Sequence, residues 1–162
     1  MNPDKVALEK LWDENTPKLY GYLINTLKDR SLADDILQGT WVKAIEALPQ
    51  YTNRGNFSAW LFSIAKNEMR MHWRKGGREV EYTPEVHDEI KHDEYHEDKI
   101  FVSQILENLP ADDQEIIRLR YIADLSFGEI AKILGINQIN IRVRMHRILK
   151  NVRASINIQN HE

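Results

Sequence analysis

The sequence has 162 residues, which is room for one ordinary domain or two small ones. An apolar fraction of 42% and a charged fraction of 29% are typical of a soluble globular protein. The absence of cysteine excludes disulfide scaffolds, Cys-ligated zinc, iron–sulfur clusters and thiol nucleophiles. No apolar run reaches the roughly 18 residues of a membrane span, and the first residues lack the pattern of a signal peptide. We therefore expect no membrane insertion and a cytoplasmic location.

Charge is unevenly distributed along the chain. Residues 1–78 carry 12 Lys and Arg against 9 Asp and Glu, and residues 114–162 carry 8 against 4. Between them, residues 79–113 carry 2 basic against 12 acidic side chains. Two mildly basic ends separated by a strongly acidic segment indicate two modules that face nucleic acid, joined by a linker. A merely solvated acidic linker would give the same pattern.

Apolar residues recur at helical spacing nearly throughout, and sustained alternation is absent, so we predict an all-α fold. In the first half the pattern predicts a helix before Asn15, a second that begins near Pro17 with Asn15 or Thr16 as its cap, and a third opened by Ser31. A loop over residues 50–56 precedes a fourth helix, which ends at Gly76. We predict a helical domain over residues 1–78 and an acidic linker over residues 79–100.

The second domain, predicted over residues 101–162, has the pattern of a helix-turn-helix. Ser126 and Glu129 form a predicted capping box, because the Ser hydroxyl and the Glu carboxylate can each pair with a free backbone N–H. Gly135 stands where a left-handed residue ends a short helix. A longer basic helix follows Asn137. Its apolar stripe leaves Ile139, Val143, Arg147 and Lys150 on the opposite face, where Arg can bind guanine and Val can contact a thymine methyl.

Several motifs together resemble bacterial sigma factors. Tyr20-Gly21-Tyr22, Asp34-Asp35-Ile36-Leu37-Gln38 and residues 57–67 (FSAWLFSIAKN) occur in the order of sigma region 2. Leu109-Pro110, Glu129-Ile130-Ala131 and Arg144-Met145-His146-Arg147 occur in the order of region 4. The chain resembles a group IV, or extracytoplasmic function (ECF), sigma factor, which consists of these two domains and a linker.

The resemblance implies a promoter-specificity subunit of RNA polymerase, without enzymatic activity or cofactor. Region 2 is expected to dock on the clamp coiled coil of core polymerase with Asp34, Asp35, Leu37, Gln38 and Trp41. It is expected to hold unstacked bases of the -10 element with Arg54, Asn56, Phe57, Ser58, Asn67, Arg70 and Arg74. Region 4 is expected to contact the flap and to bind the -35 element with Ser126, Gln138, Asn140, Arg142, Val143, Arg144 and Arg147. An anti-sigma factor is the expected regulatory partner.

The chain departs from the family pattern at several positions. Gly39 stands where the docking helix usually has an acidic residue, and Met71 replaces a common Asp. Asn137-Gln138-Ile139-Asn140 replaces the usual opening of the recognition helix, and Val143 replaces a Ser. We expect Trp60 and Trp73 to belong to the core, because they share its apolar stripe; Trp41 fits either the core or the polymerase interface.

Two other functions remain open at this point. A stand-alone helix-turn-helix regulator would bind duplex DNA without polymerase, although no heptad pattern for a dimer is present. A metal-sensing regulator would use His92 and His96, which lie four residues apart, with His87 or Glu89 nearby. No Gly-rich phosphate loop or Ser–His–acid pattern suggests an enzyme.

Overall fold

The computed structural model describes residues 3–52, 55–76 and 104–159. The regular elements among these residues are all helices, with no strand, which confirms the all-α prediction. The N-terminal bundle consists of α1 (Pro3–Leu27), α2 (Arg30–Ala47) and α3 (Phe57–Lys75), with a 3₁₀ turn at Leu48–Gln50. The C-terminal half consists of α4 (Ala111–Ile117), a π-helical turn (Arg118–Ile122), α5 (Phe127–Leu134) and α6 (Gln138–Gln159). The predicted linker, residues 79–100, lies outside the described residues.

The first helix is continuous, so the predicted helix boundary at Asn15–Pro17 is wrong. Pro17 costs α1 one backbone hydrogen bond, to the carbonyl of Asp13, but both residues lie on the exposed side where water can replace the missing donor. Asn15 is not a cap. It is buried, its amide donates to the Leu11 carbonyl (2.8 Å), and its Oδ1 accepts from the Ser58 hydroxyl (2.7 Å). This side chain therefore ties α1 to α3.

The second helix begins one residue before the predicted cap. Asp29 is the N-cap of α2, and its Oδ1 accepts a hydrogen bond from the Leu32 N–H at 3.0 Å, whereas Ser31 lies inside the helix. Asp and Ser are about equally favoured at N-caps, so Asp29 can cap α2 in place of Ser31. Lys28, with φ of 53°, makes the reversal between α1 and α2 in the left-handed conformation.

A single apolar core runs through both halves of the molecule. In the N-terminal bundle its largest fully buried side chains come from all three helices; in the C-terminal half they come from α4, the π-helical turn, α5 and α6 and the loop before α5. Its largest members are Leu19, Tyr22, Leu23, Trp41, Leu61, Phe62, Ile116, Leu119, Leu125, Ile130, Ile141 and Ile148. Direct packing of the π-helical turn against α1, and of α5 against α3, was not predicted from the sequence.

Glu115 is the polar centre of the contact between the two halves. Its Oε1 accepts a hydrogen bond from the Tyr22 hydroxyl (2.6 Å) and one from the Lys66 ammonium (2.7 Å). All three side chains are mostly buried. Burial, and the neighbouring Glu115 carboxylate, raise the pKa of Tyr22 well above its usual value. Beside this cluster Arg118 Nε donates to Asn25 Oδ1 at 3.0 Å.

Replacing Glu115 by Ala tests this contact. The change leaves the Lys66 ammonium and the Tyr22 hydroxyl without their acceptor in a mostly buried site, so we expect the free energy of unfolding to fall by about 3 kcal/mol. Urea unfolding of the full chain measures the loss. Glu9→Ala is the control, because Glu9 forms only an exposed pair with Lys5 and should cost less than ~1 kcal/mol. Equal losses for the two variants would contradict a structural role for Glu115.

Candidate nucleic-acid interface

The caps predicted for the helix-turn-helix are confirmed. The Glu129 N–H donates to Ser126 Oγ (3.2 Å), and the Ser126 N–H donates to Glu129 Oε2 (2.7 Å). Gly135 has a φ of 66°, the left-handed conformation that ends α5. At the start of α6, the Ile139 N–H donates to Asn137 Oδ1 at 2.7 Å. These local bonds fix the turn that sets α6 against α5.

The outward face of α6 is basic and apolar. The helix buries Ile141, Met145 and Ile148, and it exposes the side chains on the opposite side. Its 22 residues include five Lys and Arg and no acidic residue. The exposed set contains the predicted Gln138, Asn140, Arg142, Val143 and Arg147, and also Ile139, His146 and Lys150. This surface, the α6 face, matches the charge and dimensions of a helix that enters a DNA groove.

Arg144 differs from the other predicted -35 residues. Its Nη2 donates to Asp113 Oδ1 at 2.7 Å, and Asp113, on α4, has a side chain that is only 8% exposed. Arg147 Nη2 lies 3.7 Å from Asp113 Oδ2, but its side chain is mostly exposed. Arg144 therefore joins α6 to α4, while Arg147 remains available at the surface.

Arg142 and Ser126 both lie near Phe127, the first residue of α5. The guanidinium carbons of Arg120 and Arg142 lie 5.0 Å and 6.0 Å from the centre of the Phe127 ring, which places two cations against it. The capping box already sets the Glu129 carboxylate at the N-terminus of α5. A phosphate bound through Ser126 would therefore approach an existing negative charge, and the Arg pair is the stronger anion-attracting feature here.

A cleft of about 350 Å³ lies beside the predicted -10 residues. Tyr51 and Trp60 provide an aromatic wall, with ring centres 4.5 Å apart. Asn56 lines the cleft from the position just before α3, and Lys132 reaches it from α5. The other lining residues are Gln50, Thr52, Ala59 and Ser63. Aromatic walls with a few polar groups are what an unstacked nucleobase requires.

The remaining predicted -10 residues occupy different environments. Phe57 is the first residue of α3, and its half-buried ring packs against Trp41, Tyr51 and Trp60. The Ser58 hydroxyl is already bonded to Asn15. The side chains of Asn67, Arg70 and Arg74 are exposed along α3. Arg54 lies outside the described residues.

The two tryptophans predicted for the core differ in exposure. Trp60 is half-buried and lines the cleft. Trp73 is exposed, so the prediction of a core position is wrong for it. The apolar stripe of α3 extends into its last turn, where none of the described helices covers it.

The predicted polymerase-binding helix, α2, has an exposed face that extends further than predicted. Asp34, Asp35 and Gln38 are exposed, and Leu37 is half-buried. Val42 and Ile45 continue the same face at helical spacing and are about half exposed, although both are large and apolar. Their spacing from Asp34 and Gln38 places them on the same side of α2. We call Asp34, Gln38, Val42 and Ile45 the α2 face.

Trp41 belongs to the core and not to the α2 face. It is 2% exposed, and its ring packs against Trp12 with a centre-to-centre distance of 4.6 Å. A side chain this deeply buried has no surface to offer a partner. Trp41 is therefore removed from the predicted set of polymerase-binding residues.

The unusual Gly39 is explained by a residue of the neighbouring helix. A Cβ at Gly39 would lie 3.1 Å from Glu68 Oε2, so the Glu68 carboxylate would have to shift by a few tenths of an ångström to admit it. Glu68 in turn pairs with Lys43 of α2. An acidic group therefore lies beside this position, but α3 supplies it.

The residues of the metal-sensing alternative, His87, Glu89, His92 and His96, lie outside the described residues. Within residues 3–52, 55–76 and 104–159, no cluster of three His, Asp or Glu side chains is arranged to hold a metal ion. The described helices also include none that is long and apolar enough to cross a membrane.

Comparison with protein families gives two matches along the chain. Residues 11–79 match the family model for sigma-70 region 2, and residues 102–152 match that for sigma-70 region 4. Both matches include residues on the surfaces described above: the α2 face and all of the cleft except Lys132 fall in the first, and Lys132 and the α6 face fall in the second.

Curated relatives match over most of the chain. The ECF RNA polymerase sigma factor SigD of Mycobacterium tuberculosis (strain ATCC 25618 / H37Rv) is 30% identical over 166 residues, which cover 94% of this chain and 78% of SigD. The ECF RNA polymerase sigma factor BldN of Streptomyces coelicolor is 26% identical over 153 residues. That match covers 89% of this chain but only 58% of BldN.

A solved structure has the same fold. The sigma factor RpoE, crystallised with the anti-sigma factor NepR from Bartonella quintana, superimposes with a TM-score of 0.70 at 24% sequence identity. The match covers 94% of this chain and 98% of the RpoE chain. The chain carries both sigma-70 regions in order, and ECF sigma factors match it over most of its length. It therefore belongs to the sigma-70 family of RNA polymerase sigma factors, in its ECF group.

Proposed function

We propose that this chain directs core RNA polymerase to specific promoters and has no catalytic activity of its own. The observation that carries the proposal is the α6 face, a capped helix-turn-helix surface without acidic residues, on the same chain as an aromatic cleft suited to an unstacked base. Its place of action is the cytoplasm, where polymerase and promoter DNA meet. The N-terminal bundle contributes polymerase docking and -10 binding, and the C-terminal half contributes -35 binding.

Polymerase docks on the α2 face. Exposed apolar side chains flanked by charged ones are typical of the centre and rim of a protein interface. Val42 and Ile45 supply the apolar centre, while Asp34, Asp35 and Gln38 supply the polar rim. Leu37, half-buried beside them, extends the apolar part. The partner surface is the clamp coiled coil of core polymerase, and the flap contacts the C-terminal half.

The cleft beside Asn56 holds a base of the -10 element. Unstacking a base costs a few kcal/mol, which stacking and hydrogen bonding in a pocket must offset. Tyr51 and Trp60 offer the stacking surface, and Asn56 offers a hydrogen-bond donor. Arg70 and Arg74, exposed on α3, attract the phosphates of the same strand.

The α6 face enters the major groove of the -35 element. Gln138 and Asn140, in the first turn, are placed to read base edges, and Arg142 and Arg147 flank them with positive charge. Arg144 is a positioning residue here, because its guanidinium is bonded to Asp113. The RpoE chain was crystallised with an anti-sigma factor, and an anti-sigma partner that covers the surfaces described here is the proposed regulator of this chain.

Run-off transcription on a promoter library tests the proposal. Core polymerase should select a defined subset of promoters only when the chain is added. Replacing Val42 by Asp should reduce this selection at least tenfold, since a charge in the docking centre would be buried unpaired. Val6→Asp is the matched control, because Val6 is an equally exposed apolar residue on α1. Unchanged promoter choice with the chain present would contradict the proposal, and specific duplex binding without polymerase would favour the stand-alone regulator.

Alanine variants of Arg144 and Arg147 should show which of the two residues stabilises the fold and which binds DNA. Arg144→Ala leaves Asp113 buried without its closest partner, so we expect the free energy of unfolding to fall by about 2–3 kcal/mol. Arg147→Ala should change stability by less than ~0.5 kcal/mol and weaken -35 binding by about 1–3 kcal/mol. Urea unfolding and promoter binding by the holoenzyme measure the two effects. If Arg144→Ala reduced only DNA binding, Arg144 would be a base-reading residue instead.

A further inference from the structure

Two large apolar side chains stand in the middle of the α6 face. Ile139 is 67% exposed and Val143 is 63% exposed, although both lie on a helix that buries three other apolar residues in the core. They are four residues apart, so they lie one above the other on the same side of the helix. Packing within the described residues gives no reason for apolar side chains here.

The surroundings of this apolar pair indicate a polyanionic partner. Arg142 and Arg147 lie on either side of the pair, and His146 and Lys150 continue the same face toward the C-terminus of α6. None of the 22 residues of the helix is acidic. A purely apolar partner would leave these cations without counter-charges, whereas duplex DNA offers phosphates at the rim of the groove and base edges at its centre.

Thymine is the base that suits an apolar side chain in the major groove. Its C5-methyl is the apolar group among otherwise polar base edges, and Ile and Val have no atom that donates or accepts a hydrogen bond. Cβ atoms four residues apart on a helix are separated by about 5–6 Å, and successive bases on one strand rise by about 3.4 Å. The two side chains therefore reach bases one or two steps apart.

We infer that Ile139 and Val143 determine specificity by contacting the methyl groups of two thymines in the -35 element, one or two base pairs apart. This inference rests on the proposed function and adds the base class that the α6 face selects. The polar side chains at the ends of the pair, Gln138 and Arg147, then read the flanking bases. Replacing these thymines in the -35 element removes contact area with Ile139 and Val143. It removes no hydrogen bond to these two side chains, because neither can form one.

Uracil substitution in the -35 element tests the inference, because it removes one methyl and leaves all hydrogen-bonding groups in place. The holoenzyme is titrated on promoter duplexes, taken from those it selects, in which each -35 thymine is replaced in turn by deoxyuridine. At two positions the dissociation constant should rise about fourfold, the factor that corresponds to ~0.8 kcal/mol for one buried methyl. Val143→Ala should remove the sensitivity at one position and Ile139→Ala at the other.

Ile158→Ala is the matched control. Ile158 is 66% exposed on the same helix but lies near its end, so its removal should leave both uracil effects unchanged. The inference is overturned if the selected promoters lack thymines at this spacing, if uracil has no effect on the unaltered holoenzyme, or if the sensitivity survives both alanine substitutions. These outcomes differ from failure of the proposed function, in which the chain would not change promoter choice in run-off transcription at all.

Discussion

Glu115 is the polar centre of the contact that joins the two halves of this molecule, and the apolar core that they share surrounds it. One carboxylate oxygen accepts from Tyr22 of α1 and from Lys66 of α3, so a residue of α4 fixes two helices of the N-terminal bundle at once. A mostly buried carboxylate is tolerated only with such partners, because burial otherwise disfavours its charge. The same burial, together with the carboxylate, raises the pKa of Tyr22 and keeps its hydroxyl a donor.

This contact determines where the functional surfaces lie. With α5 packed against α3, Lys132 reaches the cleft formed by Tyr51, Asn56 and Trp60, so both halves line one site. The α6 face and the α2 face remain exposed. In the proposed function, the N-terminal bundle thus offers polymerase one surface and the -10 strand another, while α6 remains free for duplex DNA.

Local sequence signals predicted the features that depend on neighbouring residues. The capping box at Ser126, the left-handed Gly135 and the apolar stripe of α6 follow from side chains within a few positions of each other. Family membership followed from motif order in the same way. Pro17 was a misleading signal, because a helix accepts proline when the orphaned carbonyl faces water.

Features that depend on distant residues could not be predicted. Nothing near Arg144 in the sequence indicates that its guanidinium bonds to Asp113, 31 residues away. The burial of Trp41 against Trp12 and the position of Glu68 beside Gly39 likewise require the packed helices. The exposure of Val42 and Ile45 depends on which neighbouring helices cover α2, which periodicity alone does not specify.

Site-specific cross-linking in the promoter complex shows whether the two halves of the chain contact different promoter elements. The chain has no cysteine, so a single introduced cysteine is the only attachment site for a photoreactive group. The two variants are Asn67→Cys on α3 and Val143→Cys on α6. The probe at position 67 should label the -10 element, and the probe at position 143 should label duplex DNA at the -35 element. Labelling of the same promoter element from both positions would contradict this prediction.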